Sequence, residues 1–438
     1  MLTIRTLSRS IDWIVVAAIA TLMTLGVMFI YSSGINSEGD LVSSEYIKQA
    51  IWAATGILVM LGVTLLEPKR LPDYTVIIYG FFLIVLVYTL IFGRVVNGAR
   101  SWLGVGDLGI QPSEFMKIAT IVFLSRYIEM SLHEGHSFKR FAVSLAIVVV
   151  PMGLILSQPD FGTALVFLPI YLGVAFIGGV SPRYLAFLML TGSLAIVMTV
   201  MPLWQGLVST KPALFMRLFY EAPYVYYVMG AALLALMLAI AGYRFFRKRY
   251  YYWISYVSLI GFLGLGSSLV GQRILKDYQV MRLVVFLDPS VDPLGSGWNI
   301  LQSITAIGSG GFLGKGFLQG TQSHYRYLPQ QSTDFIFSII SEELGFIGGV
   351  LVFALFLLIA FRLILSIRTL SSAFQRSVVA GVFSMILFHF MINTGMTMGI
   401  MPITGIPLLF LSYGGSSLWA ICLGVGLCLG IGARRYES

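Results

Sequence analysis

The chain has 438 residues, 58% of them hydrophobic and 11% charged. Soluble domains carry about 25% charged residues, so a soluble chain this apolar lacks the polar groups to cover its surface, and the composition reads as a membrane protein. The formal net charge of +9 is assigned to helix ends at the cytoplasmic face rather than to nucleic acid, because no basic cluster with interleaved aromatics lies outside an apolar run.

A spanning helix needs about 20 mostly apolar residues. Such runs are predicted, in chain order, near 12–32, 48–66, 74–93, 112–130, 141–157, 162–179, 183–203, 223–243, 252–271, 336–361, 377–396 and 408–431. The first is too long for a signal-peptide core and is read as a retained helix. The expectation is an all-α, polytopic helix bundle of about twelve transmembrane helices, a single membrane-embedded domain over 1–438. With the N-terminus cytoplasmic, inner segments collect 17 of the 28 basic residues, among them Arg5, Arg9, Lys69, Arg70 and the run Arg247-Lys248-Arg249. An even helix count then puts both termini in the cytoplasm.

One extracytoplasmic loop, 273–334, is too long for a simple connection. Residues 278–286 within it are amphipathic and are expected to lie along the interface. Its stretch Gly308-Ser309-Gly310-Gly311-Phe312-Leu313-Gly314-Lys315-Gly316 invites a phosphate-loop reading, which fails: Ser309 stands where the first Gly is required, and Gly316 follows Lys315 in place of Ser or Thr. Backbone donors and Lys315 beside an external diphosphate remain an open reading. Cys422 and Cys428 have no neighbouring histidines in sequence and read as small buried hydrophobes.

Ionisable groups at membrane depth are costly and usually face a cavity or a partner. Glu114 and Lys117 are three apart and share a helix face; they are either a mutually neutralising pair or the lining of a polar cavity. Asn97-Gly98-Ala99-Arg100-Ser101-Trp102 precedes them. Arg100 offers a planar fork suited to phosphate oxygens, and Trp102 suits an interface anchor. Asp160, in Gln158-Pro159-Asp160-Phe161-Gly162-Thr163, is a helix cap or a chemical group. Asp334, at the junction of the long loop and an apolar helix, is an N-cap or a catalytic base. Glu342 and Glu343 follow inside that helix, where one would pair with a buried base or bind a partner helix. His389 reads as a hydrogen-bonded core residue. His133 and His136 lack further metal ligands.

Taken together, residues 97–102, Gln111-Pro112-Ser113-Glu114, 158–163, Asp288-Pro289 with Asp292-Pro293-Leu294-Gly295, 307–316, Thr333-Asp334-Phe335-Ile336-Phe337, Glu342-Glu343-Leu344-Gly345 and 407–416 resemble, in order along the whole chain, the family of shape, elongation, division and sporulation (SEDS) proteins. These are polytopic peptidoglycan glycosyltransferases. Gly320-Thr321-Gln322 ahead of Leu328-Pro329 is more similar to the elongation branch than to the division branch. Gln330 and Ser332 stand where the family often has Glu and His. The family usually has ten spanning helices, which makes 204–271 an inserted region with an extra hairpin.

The resemblance implies a cytoplasmic (inner) membrane enzyme with its active site on the outer side. It would polymerise lipid II for cell elongation and rod shape by inverting transfer of the undecaprenyl diphosphate-linked glycan. It implies Asp334 as the base. Arg100 and Lys117, with Mg or Mn sharing the task, would stabilise the diphosphate. Glu114 would hold Lys117 or line the lipid path, and Trp102, Asp160 and Lys315 are further candidate contacts. A class B penicillin-binding protein and the elongation machinery are the implied partners. A lipid II flippase and a non-catalytic transpeptidase scaffold stay open as alternatives.

Overall fold

Apolar runs of this length satisfy every backbone polar group only as helices when they are in lipid, and helices account for most of the chain. The computed structural model describes residues 10–96, 98–105, 108–132, 135, 137–207, 214–274, 277–293 and 295–434. The predicted points at Arg5, Arg9, Asn97, His133, His136 and Leu294 lie outside the described residues.

Helix α1 is Trp13–Ser33, α2 Glu45–Leu65, α3 Leu71–Phe92, α4 Pro112–Ser131, α5 Ser137–Ser157, α6 Phe161–Ile177, α7 Pro182–Leu207, α8 Tyr224–Phe246 and α9 Arg249–Ile274. They are followed by α10 Asp277–Leu287, α11 Ser296–Ser309, α12 Thr321–His324, α13 Ile336–Thr369, α14 Ala373–Thr397 and α15 Gly415–Ala433. Among the described residues ten helices are long and apolar enough to cross a membrane, so the chain is a multi-pass membrane helix bundle. The other two of the twelve expected runs also form helices, but differently. Helix α4 carries Glu114, Lys117, Arg126 and Glu129, and α6 has 17 residues.

Two features depart from plain helical spans. A three-stranded antiparallel meander, β1 Arg94–Val96, β2 Ala99–Val105 and β3 Leu108–Ile110, links α3 to α4. Val95 pairs with Arg100, and Leu103 with Ile110. The long loop is also largely helical: the amphipathic stretch forms α10, and α11 follows it.

The chain divides into two compact units, Met1–Val180 with Gln302–Ser438, and Ser181–Leu301. In the smaller one, α9 packs on α7 and α8. Thr199 and Ser268 are buried there, and the Thr199 hydroxyl bonds back to Ala195 O at 2.7 Å. In the larger unit α14 and α15 form the centre: 72% and 78% of their apolar windows are buried, against 22% for α3, whose leucine and isoleucine faces are left for lipid. Helix α14 packs on α4, α6 and α13, and α15 packs on α2. Gly426 and Gly430 of α15 meet the Met60 and Thr64 backbone of α2, where small residues permit close helix approach.

Candidate functional site

Four helices of the larger unit begin beside one another at one end: α4, α6, α13 and α15. Hydrogen bonds join the starts of α4, α6 and α15, and the Tyr413 N–H ahead of α15 donates to Ser332 O ahead of α13 at 2.8 Å. The Gln111 backbone N–H, just before α4, donates to Ser416 Oγ in the first turn of α15 at 3.0 Å. Its side-chain Nε2 donates to Asp160 Oδ2 at 2.7 Å. The other oxygen of Asp160 accepts the Thr163 N–H at 3.1 Å, capping α6. Asp160 is therefore a cap that also fixes the start of α4. The meander joins this group where the Arg100 N–H donates to Gln158 O at 3.2 Å. Arg100 itself is exposed and reaches Ile91 O at 3.3 Å. Trp102 packs over Gly109 on the next strand, where a Cβ would come within 2.8 Å of its ring.

Asp334 sits one residue ahead of the N-cap of α13, which is Phe335. Of the two readings of Asp334, the N-cap position itself is taken by Phe335. The Asp334 Oδ2 lies 3.7 Å from the position a Cβ would take on Gly405. Gly405 has φ +69°, a left-handed conformation in which glycine carries no steric penalty. The neighbouring Thr404 O packs on Gly162 of α6. Residues 404–407 thus run between Asp334 and the Asp160 cap. Asn393 of α14 donates to both Asp334 O and Ile406 O, each at 2.9 Å. One turn away, His389 lies against Pro407 O at 2.9 Å. A carbonyl only accepts, so Nδ1 carries the proton. His389 is a buried, hydrogen-bonded core residue, as its apolar helix implied.

Below Gln111 on the same helix, Lys117 Nζ lies 2.8 Å from Glu114, with the two side chains 0% and 4% exposed. They form the neutralising pair that was one of the two readings. Ser113 and Thr120 of the same helix, with Asn393 and His389, each keep a buried polar atom with no protein partner. Such atoms in an apolar bundle are matched by water or ligand.

Lys315 belongs to a second group. It contacts Glu342 at 2.7 Å and Thr321 Oγ1 at 2.6 Å. Glu342 also accepts the Gln322 N–H, and Glu343 accepts Ser32 Oγ and the Leu318 N–H. The glycine-rich stretch lies against a break in α13 at Gly345, φ +66°. Its N–H groups at Gly314, Lys315 and Gly316 donate to the carbonyls of Gly310, Glu342 and Glu343. Those backbone donors are engaged within the protein, and the glycines allow the backbones to touch.

Asn393 and residues 404–406 went unnoticed in the sequence. The available signal was an Asn inside an apolar helix, four residues after His389 and hence on its face.

The family model for FtsW/RodA/SpoVE cell cycle proteins matches residues 12–219 and 224–437. The peptidoglycan glycosyltransferase RodA of Treponema pallidum is 47% identical over 97% of this chain and 98% of its own length. The stage V sporulation protein E of Bacillus subtilis is 33% identical over 99% of both. Escherichia coli K12 MrdB, a peptidoglycan glycosyltransferase, is 29% identical over 87% of this chain and 84% of its own. Among solved structures, a chain of a peptidoglycan synthase complex, described as coordinating polymerization and crosslinking, superposes with a TM-score of 0.65 at 26% identity, covering 98% and 99% of the two chains. The rod shape determining protein RodA of Thermus thermophilus shares the fold, with a TM-score of 0.59 at 23% identity over 98% of each chain.

Proposed function

Since this chain belongs to the FtsW/RodA/SpoVE family of cell cycle proteins, we infer that it is a peptidoglycan glycosyltransferase of cell elongation, the activity named for its relatives RodA and MrdB. In this reading it sits in the cytoplasmic membrane, with both termini inside and the Asp334 end of the bundle outward. Its substrate is lipid II together with the growing lipid-linked strand.

The observation that carries the reading is the carboxylate of Asp334 against the Gly405 turn, in a chain whose motif residues Gln111, Asp160 and Ser416 meet at neighbouring helix starts. The 4-hydroxyl of GlcNAc on lipid II attacks C1 of MurNAc on the strand. A new C–O bond forms at C1, and the bond to undecaprenyl diphosphate breaks from the opposite face, which converts α to β. The hydroxyl proton passes to Asp334, and the diphosphate leaves with the bonding electrons. A positioned base contributes about 10²–10⁴-fold to such a step.

Arg100, exposed beside the Asp160 group, is the cation offered to the diphosphate. Glu114 holds Lys117 inside the bundle as a buried neutral pair. Trp102 holds the meander that presents Arg100, and Lys315 orders the loop through Glu342. Among the described residues no three His, Cys, Asp or Glu side chains converge on one point. Mg or Mn, if used, would be held mainly by the substrate's own phosphate oxygens and water rather than by a protein cage, which leaves Asp334 free as the base. Such an ion supplies charge stabilisation to the leaving group. A class B penicillin-binding protein and the elongation machinery are the partners in this reading.

The test is polymerisation of labelled lipid II by the purified protein with its transpeptidase, the crosslinking site blocked and divalent metal present. Wild type is expected to make long strands, and Asp334→Asn, at equal folded amount, to lose at least about 10²-fold in rate. Strands from Asp334→Asn at the wild-type rate would remove Asp334 as the base. Lipid II moved across a bilayer but left unpolymerised by wild type would replace the enzyme reading with a flippase.

A further inference from the structure

Asn393 uses both amide hydrogens on two backbone segments that lie far apart in sequence. One goes to Asp334 O, at the entry to α13. The other goes to Ile406 O, in the turn whose Gly405 faces the Asp334 carboxylate. The two acceptors are 59 and 13 residues away in sequence. His389, at i−4 on the same helix, donates to the next carbonyl, Pro407 O. Helix α14 therefore carries three N–H donors in one row against three carbonyls.

That helix is also one of the two most buried spanning helices in the larger unit. It lies at the centre of the larger unit, with Asn393 0% and His389 1% exposed. A buried amide with good partners on both hydrogens fixes the separation of what it bridges. Its carbonyl Oδ1 has no protein partner, so the residue is there for its donors.

We propose that Asn393 is a positioning residue for the glycosyl transfer: it sets the Asp334 carboxylate against the Gly405 turn and holds that separation through turnover. The proposal rests on the reading of Asp334 as the base. Asn393 touches the Asp334 backbone, not its carboxylate, so it acts on geometry. A misplacement of about 1 Å at a reacting group costs on the order of 10²-fold in rate, while binding of a long lipid-linked substrate through its remaining contacts is preserved.

The experiment compares wild type, Asn393→Ala, Asn393→Gln, Asn393→Asp and Asp334→Asn as purified full-length proteins with the transpeptidase. It measures kcat and KM for lipid II polymerisation on the monodisperse fraction, and Tm on the same samples. The expectation for Asn393→Ala is a kcat lower by about 10²-fold with KM within about threefold of wild type. Asn393→Gln, with both donors on a longer stem, recovers part of kcat. Asn393→Asp, with no donor against two carbonyls, recovers none.

An Asn393→Ala protein that keeps kcat within about threefold while Asp334→Asn is dead overturns the positioning role and leaves the base assignment standing. A loss in which Tm falls sharply, and kcat is equally low for Ala and Gln, overturns it in favour of a purely structural amide. Wild-type activity in Asp334→Asn overturns both, since there is then no base to position.

Discussion

Lys117 Nζ lies 2.8 Å from the carboxylate of Glu114, three residues away on the same helix, and neither side chain reaches the surface of the bundle. Charges this deep are tolerated because each neutralises the other. Removing one partner strands the second in a low-dielectric interior, which costs about 3–5 kcal/mol. Lys117→Met and Glu114→Gln are each expected to lower Tm and folded yield strongly. The double replacement is expected to recover most of both, because no stranded charge remains. A double variant as unstable as the singles would count against this account; thermal unfolding of the detergent-solubilised proteins decides it.

The Lys315–Glu342 pair is asymmetric. Lys315 is 24% exposed and Glu342 0%. Without Glu342, Lys315 can turn its ammonium to water. Without Lys315, the carboxylate stays buried with the Thr321 hydroxyl and the Gln322 N–H. Lys315→Met is therefore expected to destabilise by about 3–5 kcal/mol, and Glu342→Gln by clearly less. Equal losses in the two variants, read by Tm, would contradict the asymmetry.

Gly345 combines φ +66° with ψ −157°, a region essentially restricted to glycine. A Cβ there would meet the backbone of 312–314, including Leu313 C at 2.8 Å. Backbone atoms on both sides cannot give way as a side-chain tip can. Gly345→Ala is expected to cost more than about 3 kcal/mol and to collapse the folded yield, measured as the monodisperse fraction on gel filtration.

Gly405→Ala is a milder change at a more sensitive place. The new methyl would find ordinary contact, 3.7 Å from Asp334 Oδ2, but the backbone at φ +69° would be strained. The strain is roughly 1–2 kcal/mol. If it is relieved by a shift of the 404–407 turn, polymerisation drops about tenfold while Tm changes little. An unaltered rate with lowered Tm would mean that the turn does not position Asp334.

The membrane class and the helical runs were legible because apolar length is a strong, local signal. The two runs that differ show where it weakens. Helix α4 buries its charges through pairs such as Glu114 with Lys117, which a hydropathy sum counts as cost. The 94–110 meander was missed because its short strands are Gly-interrupted and carry no long alternating pattern. Asp160 was read as a possible cap and is one; its second bond, to Gln111, joins residues 49 apart and has no local signature. Asp334 stood out as an acid at a loop–helix junction, yet the residues that hold it come from 393 and 404–407. Glu342 and Glu343 drew attention without a partner because their partners, Lys315, Leu318 and Ser32, lie on other elements.

The break at Gly345 divides α13 into unequal parts with different duties. From 346 to 369 the helix spans about 36 Å at its ordinary rise, enough alone for a hydrocarbon core of about 30 Å. The leading segment, 336–344, is fastened to the 310–322 loop through Glu342, Glu343 and their carbonyls. Asp334 precedes that leading segment, so its footing is the loop and α14. The rod is fastened to the same loop, since the Phe346 and Ile347 N–H groups donate to Gly311 O and Phe312 O, so a tilt imposed by a thinner or thicker bilayer is passed to the 310–322 loop. Glycan polymerisation should accordingly change with acyl-chain length across vesicles of different thickness, because bilayer and loop are joined through one continuous set of backbone bonds.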